Sequence, residues 1–264
     1  LAVITAAFAE VPDDDLAGNY MANAGASLHE ELRPELARRL RTRRAATTEL
    51  SGQRYLDALA AGNDAATGDR AALDRFLGTR NVRHLDSVAT PLHARRQRAI
   101  SLDVRVRMAE LAHHPVGASA AISVAALRGD LPAAVAAATD ASARFPRHDM
   151  LRSALVSQLV FAGDLAAATT AAAPLARLAD PWASQHASLA LVALLGGDRT
   201  TAALHARRGR QRGFASGYDR TVYGGLRGVE AVLANDAAAL DRAHADADYT
   251  DAPGWAALRA ALTA

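Results

Sequence analysis

Apolar side chains recur along this chain at the spacing of one helix face, and no stretch alternates long enough to read as a strand. Leu151, Leu155 and Leu159 fall on one such face, and Ile100, Val104, Met108 and Leu111 make another stripe. Short polar breaks separate the later runs: Gly129-Asp130, Gly163-Asp164, Gly197-Asp198 and Asn235-Asp236. Together they predict four helix pairs, 116–128 with 131–145, 150–162 with 165–179, 183–195 with 199–212, and 218–234 with 237–247. Asp251-Ala252-Pro253 then opens a short last helix carrying Trp255 and Leu258.

The first three breaks stand 34 residues apart, and the fourth follows after 38, as though one unit carried a four-residue insertion. Ala134, Ala168 and Ala202 keep the period, as do Ala138, Ala172 and Ala206. About a quarter of the chain is alanine, so those columns prove little alone. The glycine–aspartate column carries the repeat. Glycine accepts the left-handed conformation that ends one helix, and aspartate caps the first amides of the next. Pro132 sits early in its helix, where a missing N–H costs little.

Helix–turn–helix units of this length resemble the tetratricopeptide repeat. With unit one starting at Pro115, Ala134 takes the small position of the second helix, Ala141 its later alanine and Pro146 the closing proline. Pro181 closes the second unit one place late. The chain departs from the family in its first helices. Ala118, Arg152 and His186 stand in the tryptophan column, and Ile122, Val156 and Ala190 in the glycine column. The resemblance covers about residues 115–250. It implies an all-α, right-handed superhelical solenoid of antiparallel helix pairs, with 251–264 covering its end.

Residues 1–114 are also expected to be helical, in an irregular region without the clear period. Asp13-Asp14-Asp15 can cap a helix holding Leu16, Tyr20 and Met21, and Ser27-Leu28-His29-Glu30 is a capping box. Pro34 interrupts or restarts a helix running to about Thr47; 51–61 and 69–77 are shorter helices. Thr90-Pro91 opens a longer one to about Ala112. Gly62-Asn63-Asp64 lies near two periods before Asp130, where degenerate repeats would begin.

Composition changes the picture by exclusion. All 30 basic residues are arginine, and there is neither lysine nor cysteine. The chain therefore supplies no phosphate-loop lysine, Schiff-base lysine or kinase lysine. It also has no thiol nucleophile, thiolate metal site or disulfide. Formal net charge is only +2, so the pI near 9.4 reports the missing lysine and cysteine more than a basic protein. Seven Arg against two Asp in 80–107, and six against one in 201–227, give +5 each. Six acids against one Arg give −5 in 228–251. Neighbouring stretches of opposite sign can pair within a fold, and specific nucleic-acid binding is not expected. Arginine without lysine beside abundant alanine also matches a GC-rich, bacterial coding bias.

Few residues offer candidate chemistry. His29-Glu30-Glu31-Leu32-Arg33 begins like a zincin helix but lacks the second histidine, and His113-His114 diverge at a helix end. Ser27 and Ser119 sit in no nucleophile elbow. Asp13-Asp14-Asp15 lacks the further acid, one turn along, of a helical terpene cyclase. Arg38, Arg39, Arg41, Arg43 and Arg44 spread around their helix, and Arg207, Arg208, Arg210 and Arg212 favour a helix C-terminus. No catalytic residue, metal site or cofactor is expected. The longest apolar run, 189–195, is far short of a membrane span. Residues 1–9 end in Ala7-Phe8-Ala9, faintly like a signal-peptidase site, but a first helix is the expectation, with a cytoplasmic setting.

The resemblance implies a protein-interaction module binding a peptide or helix in a concave groove lined by first helices. On this register the groove positions are Ser119 and Ser123, Ser153 and Ser157, then Ser184, Ala187 and Leu191. The carboxylate-clamping members of the family carry Lys, Asn and Arg there; serine and alanine make such a clamp unexpected. Small residues in these columns serve equally to let neighbouring helices pack closely. Two other functions stay open. One is the sensor or regulatory tail of a bacterial transcription activator or signalling ATPase, which the non-Met start allows. The other is a helical enzyme with its site between the N-terminal helices and the repeats.

Overall fold

The computed structural model describes residues 98–212, 219–246 and 252–263, with isolated positions between 38 and 85. Every regular element among them is helical. In chain order these are α1 (Arg98–Ala109), α2 (Pro115–Leu127), α3 (Leu131–Arg144), α4 (Asp149–Phe161) and α5 (Leu165–Ala172). After a 3-10 turn (Leu175–Arg177) come α6 (Ala183–Leu195), α7 (Arg199–Gln211), α8 (Asp219–Leu233), α9 (Ala237–Asp246) and α10 (Ala252–Thr263). The aspartate triplet at 13–15, the capping box at 27–30 and the helix of residues 1–9 lie outside the described residues, as do the helices to Thr47, 51–61 and 69–77 at most positions.

The chain divides into two compact units, one mainly from residues 1–108 and the other mainly from 109–264. In the first, α1 buries Val104 and Met108, and Leu85 is fully enclosed. Arg107 Nε donates to the carbonyl of Leu77 at 2.8 Å.

The second unit repeats one turn four times. Gly129, Gly163 and Gly197 have φ of 76°, 80° and 83°, and Asn235 has φ of 54°. In each case the next residue's amide reaches back five positions: Asp130 to Ala125, Asp164 to Leu159, Asp198 to Ala193 and Asp236 to Ala231, at 2.9–3.0 Å. The left-handed residue bonds three positions back, as in Gly163 to Val160. This is the Schellman closure of a helix C-terminus. Each aspartate then caps the next helix, accepting from Ala133, Ala167, Thr201 and Ala239 at 2.8–3.0 Å. The Thr201 contacts hold the Asp198 carboxyl below its ordinary range. The fourth turn, 38 residues on, keeps the geometry with asparagine as its left-handed residue.

Packing follows the period. Ala134, Ala168 and Ala202 are fully buried, and Leu240 fills the corresponding place in the fourth pair. Ala138, Ala172 and Ala206 repeat this one turn later. Methyl groups there let the helices of a pair approach closely. Ile122 shares a core cluster with Ala138, and Val156 and Ala190 share one with Ala168, Ala172, Ala202 and Ala206. Successive first helices α2, α4, α6 and α8 pack on one another, and each second helix also packs on the next first helix.

One element is shorter than its pattern. The helix expected over 165–179 stops at Ala172 and gives way to a 3-10 turn. Pro174 explains it: proline has no N–H to donate and its ring clashes with the preceding turn. Leu175 still reaches the core, fully buried in the column of Ala141.

The turns are open to a direct test. A Cβ at Gly163 would meet no atom within 4 Å, so Gly163→Ala probes backbone conformation alone. It should destabilise by on the order of 1 kcal/mol, because alanine resists positive φ. Asp164→Ala should lose ~1 kcal/mol of capping. Urea unfolding of both variants checks this, and parental midpoints for both would refute the turn's role.

Candidate functional site

Serine is a small hydrophobic-sized residue with one proton to give, so where it lines a helix seam it must find an acceptor. The expected groove serines divide on this point. Ser119 is exposed on α2, and Ser123 Oγ turns back to the Ser119 carbonyl at 3.0 Å. Ser153 on α4 is only 4% exposed, and its Oγ lies 2.7 Å from Ser188 Oγ of α6. Ser157 Oγ lies 3.2 Å from that same Ser188 oxygen, and Ser153 Oγ is 3.1 Å from the carbonyl of Ser184. Ser184 Oγ donates to Met150 Sδ at 3.3 Å.

Ser188 Oγ also reaches the carbonyls of Ser153 and Ser184, at 3.1 and 3.2 Å, so each of these hydroxyls has an acceptor for its one proton. The cluster is thus a polar seam between α4 and α6. The expected continuous row of serines does not form an open channel, because Ser153 is enclosed between those helices. Leu191 is likewise in the core at 7% exposure, and Ala187 is half-buried against it. Ser119 and Ser123 keep access to the surface of α2. Ser188 is the member that pattern reading misses. Its signal is the i, i+4 spacing from Ser184 on α6.

Two histidine sites also emerge. His186 of α6 is 2% exposed, and its Nδ1 lies 2.9 Å from Nδ1 of His205 on α7. Burial, then His205 and Arg208, pull His186 down to about 4. Burial and Arg208 lower His205 as well. Both rings are therefore neutral at pH 7, one nitrogen donating and the other accepting. On α9, His244 stacks on Trp255 of α10 with centroids 4.6 Å apart. Burial and Arg259 lower its affinity for a proton, against Asp241.

The arginines of 199–212 are partly absorbed by the fold. Arg199 Nη2 donates to the carbonyls of Val232 and Leu233 at the end of α8, at 3.3 and 3.0 Å. Arg210 pairs with Glu230 at 2.5 Å, and Arg212 pairs with Asp180. Arg207 and Arg208 are exposed. No group of three or more potential metal ligands occurs among the described residues, and no helix there is long and apolar enough to cross a membrane. Trp182 stands out on the surface, 69% exposed at the start of α6.

No family model, curated protein or solved structure matches the chain. The first helices form the continuous layer of the second unit, and α10 joins that layer. It packs on α8 and α9 and also on α4.

Proposed function

We propose that this protein is a scaffold for protein–protein interaction. Its second unit is read as a right-handed, tetratricopeptide-like array that receives a partner helix or peptide on its first-helix face. The observation that supports this most is the fourfold Gly/Asn-Asp turn, which repeats one orientation of first and second helices along the chain. A repeated orientation builds one extended face rather than a single pocket. At its α2 end that face carries Ser119 and Ser123, small side chains that leave room for apolar anchors spaced at i, i+3, i+4 and i+7. An apolar or alanine-rich helix is the partner chemistry that suits it.

The test is binding of a partner recovered from the native host by the intact protein and by Ser119→Arg/Ser123→Arg. Two long cations on α2 should weaken binding by roughly tenfold or more through bulk and unpaired charge, at unchanged melting temperature. Equal affinity at equal melting temperature would place the working surface elsewhere.

A further inference from the structure

A helix that only capped the array would touch its last pair. α10 does more, because its first turn reaches the second pair. Gly254 faces Phe161 at the end of α4 so closely that a Cβ there would lie 2.6 Å from Cε1 and 2.9 Å from Cζ of the ring. The next residue, Trp255, and Leu258 one turn on straddle Gly228 of α8, where a Cβ would lie 2.9 Å from Trp255 Cζ3 and 2.8 Å from Leu258 Cδ1. Each contact is made through a glycine, on α10 in one case and on its seat in the other. α10 therefore lies against the first helices of the second and fourth pairs.

We propose that α10 is a resident ligand of the first-helix face, displaced when a partner helix of the same chemistry takes its place. The inference rests on the interaction reading above and adds a latch and a kind of partner: an alanine-rich helix with a glycine-aromatic step and a leucine one turn on. The sequence of α10, APGWAALRAALT, is itself such a helix. Its hold on the array is concentrated in a few side chains. Trp255 and Leu258 are its large buried side chains, at 6% and 3% exposure, with Leu262 half-buried. Its polar ties lie on α9: Arg259 to Asp241 at 2.9 Å, Arg259 to His244 at 3.3 Å, and the His244–Trp255 stack. α8 beneath it buries Leu226, Val229, Ala231 and Val232. Trp255 and Leu258 share one core with these side chains, so opening α10 means withdrawing those two while Leu226 stays packed against Gly209 of α7.

Hydrogen exchange on the full chain tests the latch without any partner. α10 amides should exchange about tenfold or more faster than the slowest amides of α8, as a separately opening segment. A fluorescein-labelled peptide of residues 252–264, titrated into full-length variants, tests the seat. Leu258→Ala weakens the resident helix but leaves the seat open, so peptide affinity should rise about tenfold or more over wild type. Gly228→Val also loosens α10 but fills the seat, so it should bind peptide no better than wild type. Exchange of α10 and α8 amides together in one opening would overturn the proposal, as would equal peptide affinity in wild type and a folded Leu258→Ala. Should Leu258→Ala not fold, exchange in the wild type decides. Exchange says nothing about Ser119 and Ser123, so failure of the latch and failure of the interaction reading are seen separately.

Discussion

Leu226→Ala is expected to lower unfolding free energy by about 3 kcal/mol, within the ~2–5 kcal/mol span for a buried leucine emptied to alanine. Leu226 is fully buried and joins the third pair to the fourth. Its Cδ1 and Cδ2 lie 2.8 and 3.1 Å from the position a Cβ on Gly209 of α7 would take. Gly209 stands in the column of Ala141 and Leu175, so the missing side chain on α7 is the space that Leu226 fills. Gly209→Ala alone should be held back by crowding of ~1–3 kcal/mol, since His186 Cβ also lies 3.0 Å away. With Leu226 shortened, the added methyl gains room on one side. The double variant should therefore be less destabilised than the two single variants predict together, by roughly 0.5 kcal/mol or more. Urea unfolding at constant slope measures all three. A loss under about 0.5 kcal/mol for Leu226→Ala, an ordinary surface-sized effect, would show that α8 does not dock through this side chain.

The turns were legible in the sequence because glycine and aspartate have few other reasons to recur together at one spacing. Their chemistry is local, so four residues suffice to state it. The 34-residue columns led equally to the buried Ala134, Ala168 and Ala202. Pro174 stands inside the helix expected over 165–179, and a proline cannot continue one. Backbone chemistry prevailed over periodicity there.

Other features depend on contacts that no column records. Ser153 and Ser188 meet across 35 residues of sequence, one residue off the repeat, and that offset converts an expected groove position into a seam. His186 stands in the tryptophan column, but Arg152 of that column is only half-buried, so neither the burial of His186 nor its partner His205 follows from the register. The approach of Gly254 to Phe161 joins the last helix to the second pair. A repeat register describes neighbours only, and such a contact lies outside it.

Acid should destabilise the protein between about pH 6.5 and 4, with the His186–His205 pair as a main cause. The folded-state value of His186 is lowered from 6.5 to about 4. Between those values the unfolded chain binds the extra proton and the folded chain does not, so stability rises with pH across that window. The contribution is fully present above about pH 6.5 and is lost as pH falls towards 4. For a ring this well buried the change is on the order of 2–3 kcal/mol. Two charged imidazoles 2.9 Å apart at Nδ1 beside Arg208 would repel, and neither could accept the other's proton. The aspartate caps act in a different range: Asp198 is held below 3.8 by Thr201, so its loss belongs to still lower pH. His186→Asn separates the two. An asparagine amide can hydrogen-bond His205 but does not titrate, so stability of the variant at pH 7 and at pH 4.5 should differ by about half the wild-type amount or less. His205, itself lowered by burial and Arg208, supplies the remaining slope. Urea midpoints of wild type and variant at the two pH values give the comparison. An unchanged pH slope in folded His186→Asn would assign the acid sensitivity to groups other than this pair.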